Sequence, residues 1–207
     1  EQLMAAVQDA GVAVVIGHTN ATYEECIDAI ERGAIQATHT FNAMTGLHHR
    51  QPGVLGAVLS RDAIYGQLIA DNVHVHPGAM KVFARCKGVE RAILITDAMR
   101  AAGLPPGQYD LGGQPVRVAD GQCRLMDGTL AGSVLTMDVA LRNFLAASGW
   151  SLADAWPVTS RSVATSLGLD HKLGSIRPGY LADLVVLDRQ LAVVVTIVGG
   201  EIVYQRP

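Results

Sequence analysis

The sequence has little charge, little cysteine and no long apolar run, and each shortage excludes a class of protein. Charged residues make up 17% of the 207, with 16 Lys and Arg against 19 Asp and Glu. Neither sign forms a long run, so we expect no nucleic-acid surface and no polybasic membrane anchor. The longest apolar stretch, residues 191–198, is eight residues long and interrupted by Thr196, too short to span a bilayer.

Cysteine usage and missing motifs exclude further classes. Cys26, Cys86 and Cys123 are far apart and form no CxxC pair, which excludes a zinc ribbon or a redox pair and disfavours a disulfide framework. Free cysteines fit a reducing compartment, so we expect a cytoplasmic protein. No GxxxxGK[ST], GxGxxG or GxSxG motif occurs, so nucleotide binding and serine-hydrolase chemistry lack support.

The hydrophobic content and its pattern along the chain predict a folded α/β domain. Hydrophobic residues make up 49% of the chain, enough for a sizeable core. The front two thirds alternate between apolar segments of strand type and helical segments. The predicted strands are 12–16, 35–38, 64–70 and 91–96, and the predicted helices are 1–10, 21–32, 77–86, 134–147, 151–155 and 160–167. Because these strands are apolar along their whole length, we expect a parallel sheet that is buried on both faces.

Two other regions depart from this alternation. Residues 98–132 are rich in Gly and Pro, and we expect a β-hairpin excursion near 108–127. The tail contains the predicted strands 184–187, 193–198 and 201–204, with Gly199 and Gly200 as a hairpin turn. We therefore predict a catalytic α/β domain over 1–172 and strands of a small β domain over 173–207.

Histidines are concentrated in the front third, where six of the seven fall within residues 18–76. His18 and His39 each follow an apolar strand directly, and neighbouring parallel strands end at the same edge of a sheet. Two imidazoles at that edge are typical of a zinc-type site that also needs a carboxylate ligand. The alternative is a pair of hydrogen-bonded core histidines.

Other polar residues also follow predicted strands. Asp97 ends the fourth strand, where it can act as general acid and base or simply cap the next loop. Of His74 and His76, we expect one to contact substrate and the other to be incidental. Arg50 lies in a polar loop and suits bidentate recognition of phosphate or carboxylate, unless that loop is merely solvated. Gly132 and Ser133 precede a helix, where they offer ligand-binding N–H groups or an ordinary N-cap.

A set of motifs in order along the chain gives a family resemblance. The motifs are 17–22 (GHTNAT), 38–44 (THTFNAM), 50–53 (RQPG), 71–74 (DNVH), 96–98 (TDA), 130–133 (LAGS) and 174–184 (GSIRPGYLADL). Together they resemble the N-acetylglucosamine-6-phosphate deacetylase family of the amidohydrolase superfamily, from about residue 10 to the end. The last motif is shared by many amidohydrolases, whereas the THTFNAM run with the spaced Arg and His is more specific.

The resemblance implies a cytoplasmic hydrolase that removes the acetyl group from N-acetylglucosamine 6-phosphate in amino-sugar catabolism. It implies a divalent metal, zinc first with iron, cobalt or manganese as alternatives. His18 and His39 match metal ligands, and Asp97 matches the catalytic acid and base. Asn42, Ala43, Arg50, His74, Leu130, Ala131 and Gly132 match substrate contacts. The family forms homodimers in which the arginine reaches the neighbouring subunit's sugar phosphate, so Arg50 is expected to act across the interface.

One part of the family pattern is missing. The third metal ligand is a glutamate on an earlier strand, and no stretch of this chain matches that motif. Only four barrel-type strands can be counted, whereas a (β/α)8 barrel takes about 250 residues. We therefore expect the C-terminal half of such a barrel with a small β-sandwich portion. The alternatives are an amidohydrolase for another N-acyl or cyclic amide, an inactive fragment, or an assembly module that binds the sugar phosphate without hydrolysing it.

Overall fold

The computed structural model describes residues 2–207 and shows an α/β body with two additional antiparallel sheets. The helices are α1 (Gln2–Asp9), α2 (Tyr23–Glu31), α3 (Gly53–Ser60), α4 (Pro77–Arg91), α5 (Met137–Ser148), α6 (Leu152–Ala155), a 3-10 helix (Trp156–Thr159) and α7 (Arg161–Ser166). The strands are β1 (Val14–Ile16), β2 (Ala34–Ala37), β3 (Tyr65–Ile69), β4 (Ala92–Ile95), β5 (Gly107–Leu111), β6 (Gln114–Ala119), β7 (Gln122–Leu125), β8 (Leu184–Leu187), β9 (Val193–Val198) and β10 (Glu201–Gln205).

The four strands of the body form one parallel sheet in the order β1-β2-β3-β4. Each is joined to the next by a connection that contains a helix, as parallel pairing requires. All four strands therefore end at the same edge, as the sequence predicted. The arrangement is consistent with part of a barrel rather than a complete one.

The main core lies between β3 and β4 on one side and α4 and α5 on the other. Leu68, Phe83, Leu94 and Phe144 are almost completely buried there. A second apolar cluster joins α2 to α3 and includes Cys26 and Val58. These two clusters hold the strands and the loops at their carboxyl ends in place. Among the described helices, none is long and apolar enough to cross a membrane.

Local signals explain where two helices begin and end. Thr22 caps α2 in a full capping box, because its hydroxyl accepts from the Glu25 N–H while the Glu25 carboxylate accepts from the Thr22 N–H. Helix α4 begins at Pro77 and continues to Arg91, past the predicted end at Cys86, although Gly88 interrupts its helical geometry.

The excursion and the tail are both antiparallel. The excursion is a three-stranded meander, β5-β6-β7, and therefore has one strand more than the predicted hairpin. The tail strands β8, β9 and β10 form a separate sheet, as predicted. The domain boundary between residues 172 and 173 stays a prediction.

Candidate active site

One position recurs at the carboxyl edge of the parallel sheet. Strands β1, β2, β3 and β4 end at residues 16, 37, 69 and 95. The residues two positions further on are His18, His39, Asp71 and Asp97. Four titratable side chains thus occupy equivalent positions on four neighbouring strands, at the edge where α/β folds bind their ligands.

His18 and His39 meet at this edge. Their Nε2 atoms are 2.8 Å apart, and the two rings stand nearly edge to face with centroids 4.7 Å apart. The structure therefore brings together the two residues that the sequence predicted as a pair. His39 is buried, whereas His18 is exposed.

The loop after β2 orients the His39 ring. The Nδ1 atom of His39 lies 3.2 Å from the backbone carbonyl oxygen of Asn42, which can only accept a hydrogen bond. Nδ1 therefore carries the proton, and Nε2 of the neutral ring keeps its lone pair toward His18. The Asn42 side chain itself donates to the His39 carbonyl, so it stabilises its own loop. The N–H of Thr19 donates to the Ala43 carbonyl and links this loop to the one that carries His18.

Backbone strain is concentrated at the same edge. His18, His39, Ala43 and Asp97 all have positive φ angles of 46°, 27°, 49° and 50°. Residues other than glycine rarely adopt positive φ angles, and such backbone strain persists only where the surrounding structure fixes it. Histidine and aspartate tolerate the left-handed region better than most residues, so the residue types of His18, His39 and Asp97 match the conformation.

Ser133 fixes the conformation of the loop that carries Asp97. Its N–H donates to the Asp97 carbonyl over 2.8 Å, and its hydroxyl donates to the Thr96 carbonyl. Its own carbonyl accepts from the Met99 N–H at 2.9 Å. Ser133 is therefore not the N-cap of α5, because that helix begins at Met137 after Thr136. The Asp97 carboxylate is exposed and makes no hydrogen bond to any residue within 2–207.

The expected substrate segment 130–132 lies beside Asp97. The Ala131 N–H donates to the Cys123 carbonyl in β7, which ties the segment to the meander. Gly132 has a φ of 65°, and a Cβ there would lie 3.3 Å from the Asp97 carbonyl oxygen. The close approach explains a glycine at this position.

His74 is paired with Asp71 at the end of β3. The His74 Nδ1 lies 2.6 Å from Asp71 Oδ2, and both side chains are about nine-tenths buried. Burial raises the pKa of Asp71, but hydrogen bonds from His74 and Val73 outweigh it and hold the pKa below its ordinary value. His76 instead caps α4, because its Nδ1 accepts from the Gly78 N–H. His76 thus has a local structural role, and the substrate contact expected of one of the two histidines stays a prediction.

Arg50 lies on the exposed loop before α3. Its Nη1 is 2.7 Å from His49 Nε2, and its backbone N–H donates to His48 Nδ1. It lines a cleft of about 430 Å³ together with Thr22, Tyr23 and other residues from both sides of the loop. Arg50 is exposed, so solvent can reach its guanidinium.

The donor set suits a divalent metal in kind but not in number. Two convergent imidazole nitrogens are typical zinc ligands, and catalytic zinc sites usually have three protein ligands. No group of three or more His, Cys, Asp or Glu side chains within residues 2–207 could hold a metal ion.

Sequence reasoning overlooked three contributors to this site. The motif 71–74 contains Asp71 but gives it no role of its own, although its offset from the strand end equals that of His18 and Asp97. The Asn42 carbonyl and the Ser133 clamp had no signal, since both act through hydrogen bonds between distant or backbone atoms.

Comparison with known proteins places this fold and site in a class. The model of the amidohydrolase family matches residues 1–203, so the chain belongs to that family. Members of the superfamily generally depend on a divalent metal.

The relatives are more particular. An N-acetylglucosamine-6-phosphate deacetylase from Lysinibacillus sphaericus is 47% identical over 202 residues, which is 96% of this chain and 52% of that protein. An N-acetylgalactosamine-6-phosphate deacetylase from Escherichia coli O157:H7 is 45% identical over 88% of this chain and 48% of its own length. A crystal structure of the N-acetylglucosamine-6-phosphate deacetylase from Thermotoga maritima is 38% identical with a TM-score of 0.94, covering 99% of this chain and 56% of that one. The chain thus spans about half the length of these relatives.

Proposed function

We propose that this chain supplies the C-terminal part of the active site of an N-acetylglucosamine-6-phosphate deacetylase. The reaction would hydrolyse the acetamide of the sugar phosphate to glucosamine 6-phosphate and acetate. The observation that carries the proposal is the convergence of His18 and His39, with Nε2 atoms 2.8 Å apart at the carboxyl edge of the sheet. The deacetylase relatives cover almost the whole chain and add support.

The residues divide the chemistry among them. His18 and His39 would hold two coordination positions of a divalent cation, zinc in the first instance. When bound, such an ion supplies Lewis-acid polarisation of the amide carbonyl and of water. Asp97 takes a proton from the attacking water and passes it to the departing amine. His74 contacts the carbonyl oxygen of the substrate.

Recognition of the sugar phosphate uses the surrounding loops. Arg50 binds the phosphate through its planar guanidinium, which can donate two parallel hydrogen bonds to it. Asn42 and Ala43 from the loop after β2, and the segment 130–132 beside Asp97, line the sugar. We also propose a homodimer in which Arg50 reaches the neighbouring subunit's substrate.

Asp97→Asn in the full gene product tests the mechanism. An amide cannot accept and return a proton, so we expect kcat to fall by about 10²–10⁴-fold. Circular dichroism and the thermal midpoint should stay unchanged, because the exposed carboxylate makes no hydrogen bond to the described residues. Asp9→Asn, an exposed aspartate at the end of α1, is the control. Near-normal turnover of Asp97→Asn would contradict the proposal.

A second candidate substrate is N-acetylgalactosamine 6-phosphate, because one relative of 45% identity carries that name. Measuring kcat/KM for both phosphorylated sugars and for unphosphorylated N-acetylglucosamine separates the possibilities. We expect kcat/KM to be highest for N-acetylglucosamine 6-phosphate. A higher kcat/KM for N-acetylgalactosamine 6-phosphate would establish the second candidate. If unphosphorylated N-acetylglucosamine had the same kcat/KM as the phosphorylated sugar, the proposed role of Arg50 in binding phosphate would be wrong.

A further inference from the structure

The carboxylate–imidazole pair at the end of β3 has a chemical consequence beyond holding a turn. Asp71 occupies the same offset from its strand as His18, His39 and Asp97, and His74 lies beside it. The two side chains are only 10% and 8% exposed, and their Oδ2 and Nδ1 atoms are 2.6 Å apart. Water therefore competes little for this hydrogen bond.

Asp71 is held rigidly in this position. Its Oδ1 accepts from the N–H groups of Val73 and His74, at 2.8 and 2.7 Å. The residue before it, Ala70, is anchored by the Asn143 amide of α5, which donates to the Ala70 carbonyl over 2.8 Å. Both carboxylate oxygens are thus committed to N–H donors, and the ionised group can only accept.

This arrangement determines which nitrogen of His74 carries a proton. Nδ1 faces an acceptor, so it must be protonated, and Nε2 is the nitrogen left for other partners. We infer that Asp71 is a positioning residue that fixes the tautomer and ring orientation of His74, so that Nε2 alone meets the substrate. The inference rests on the proposed function, in which His74 contacts the substrate carbonyl.

The same geometry determines the form in which His74 can work. A hydrogen bond to a carbonyl oxygen needs a donor, and the neutral ring held by Asp71 offers only a lone pair at Nε2. Donation from Nε2 therefore requires a second proton on the ring, and the positive charge of that form would lie beside the Asp71 carboxylate, whose Oδ2 is 2.6 Å from Nδ1. Asp71 thus supplies both the orientation and the countercharge for that form.

Replacing Asp71 by asparagine separates this role from the shape of the turn. The two backbone N–H donors at Oδ1 require an acceptor, so the amide must place its oxygen there. Its NH2 group then faces Nδ1 of His74, which must become an acceptor. Asp71→Asn therefore keeps the turn but moves the proton of the neutral ring from Nδ1 to Nε2. Nε2 can then still donate, but from an uncharged ring that has lost its carboxylate partner.

The experiment compares Asp71→Asn with Asp71→Ala, which also loses the turn, and with Asp28→Asn, an exposed aspartate on α2, as the control. The ¹⁵N shifts of the His74 ring, assigned by their loss in His74→Gln, report the tautomer. We expect Nδ1 to be protonated in the unaltered protein and in the control, and Nε2 to be protonated in Asp71→Asn. We expect kcat of Asp71→Asn to fall by about 10- to 100-fold, because an uncharged donor at Nε2 replaces a charged one and because outer partners of metal-binding histidines have effects of this size, while KM and the thermal midpoint change little.

Two results would overturn the inference. One is an unchanged His74 tautomer in Asp71→Asn, and the other is full activity despite a changed tautomer. Failure of the proposed function looks different, because the unaltered gene product would then not deacetylate the sugar phosphate, while its ring tautomer could still be measured. Full activity of His74→Gln would remove the substrate contact of His74 and with it the catalytic purpose of Asp71.

Discussion

Lys87 illustrates at the residue scale how a buried charge supports the site. Its side chain is almost completely buried, and its ammonium group donates to the carbonyl oxygens of Val58 and Arg61, at 2.9 and 2.7 Å. These carbonyls lie at the C-terminal end of α3, where a helix leaves acceptors unpaired. Lys87 thereby joins α4 to the end of the helix that follows the Arg50 loop.

The pKa of Lys87 links this contact to pH. Burial lowers the pKa from 10.5 to about 8, so the folded protein loses the proton before the unfolded chain does. Between these values the unfolded state binds more protons, and the contribution of Lys87 to the free energy of unfolding rises with pH. Below about pH 8 the folded state carries the full cost of the buried ammonium.

Lys87→Met tests this linkage. The variant leaves two carbonyl groups unpaired, which costs about 1–3 kcal/mol, but it also removes a buried charge. We therefore expect a small loss of stability at neutral pH and a larger one as the pH rises through the window from about 8 to 10.5. Urea unfolding across this range measures the difference, with Lys81→Met on the exposed side of α4 as the control. A difference that stays constant or shrinks with pH would contradict the prediction.

The loop from Thr45 to Gly53 is the element that presents Arg50, and its two ends are joined. The Thr45 hydroxyl donates to the Ala21 carbonyl and accepts from the Val54 N–H, at 2.8 and 2.7 Å. The Thr45 carbonyl accepts from the Leu55 N–H. Thr45 thus satisfies two of the N–H groups that the first turn of α3 leaves free.

Gly53 makes this closure possible. Its φ is 62°, and a Cβ would lie 2.7 Å from the Thr45 hydroxyl oxygen and 2.8 Å from the Gly46 carbonyl oxygen. We expect Gly53→Ala to lower the free energy of unfolding by about 1–3 kcal/mol, because the backbone strain and the clash add. Gly46→Ala in the same loop is the control, since nothing lies within 4 Å of its Cβ position. Equal thermal midpoints for the two variants would refute the steric explanation.

The sequence predicts these elements unequally, for a physical reason. Strands β2, β3 and β4 are mostly apolar, with Gln36 and Gln67 as the polar exceptions, and polar residues follow each strand, so the sequence reveals them. Strand β5 reads Gly-Gln-Tyr-Asp-Leu and alternates weakly, since its meander covers only a small cluster around Val116. Helix α4 is kinked at Gly88, whose φ of 58° and ψ of 178° are not helical, so its regular first part ends close to the predicted end at Cys86.

The residues of the site were also predictable from the sequence to different degrees. The convergence of His18 and His39 was predictable, because parallel strands carry equivalent positions to one edge. The pairing of Asp71 with His74 is local in sequence, yet a polar residue after a strand is usually read as part of a turn. The contacts of Ser133 with Thr96 and Asp97 span 37 and 36 residues and arise only once the chain has folded around the meander.

At the scale of the whole molecule, the site is distributed over surfaces that this chain leaves open. The histidine pair and Asp97 lie at the edge of the four-stranded sheet, whereas Arg50 is exposed and lines a cleft whose lining includes none of these three residues. The two positions can serve one substrate if the arginine that binds its phosphate belongs to a different copy of the chain. The proposed homodimer with Arg50 acting across the interface therefore makes a prediction about mixed subunits.

Mixing Arg50→Ala with Asp97→Asn subunits tests this arrangement in the full gene product. Each variant alone should have low activity at subsaturating substrate, because every site then lacks either the phosphate-binding Arg50 or the proton-transferring Asp97. If Arg50 serves the neighbouring subunit, a mixed dimer holds one intact site, formed by Asp97 of one copy and Arg50 of the other. Random exchange at equal amounts should then restore about one quarter of the unaltered activity, because half of the dimers are mixed and each has one working site. Activity that stays at the average of the two variants would place Arg50 in the site of its own subunit, since no site in a mixed dimer would then be intact.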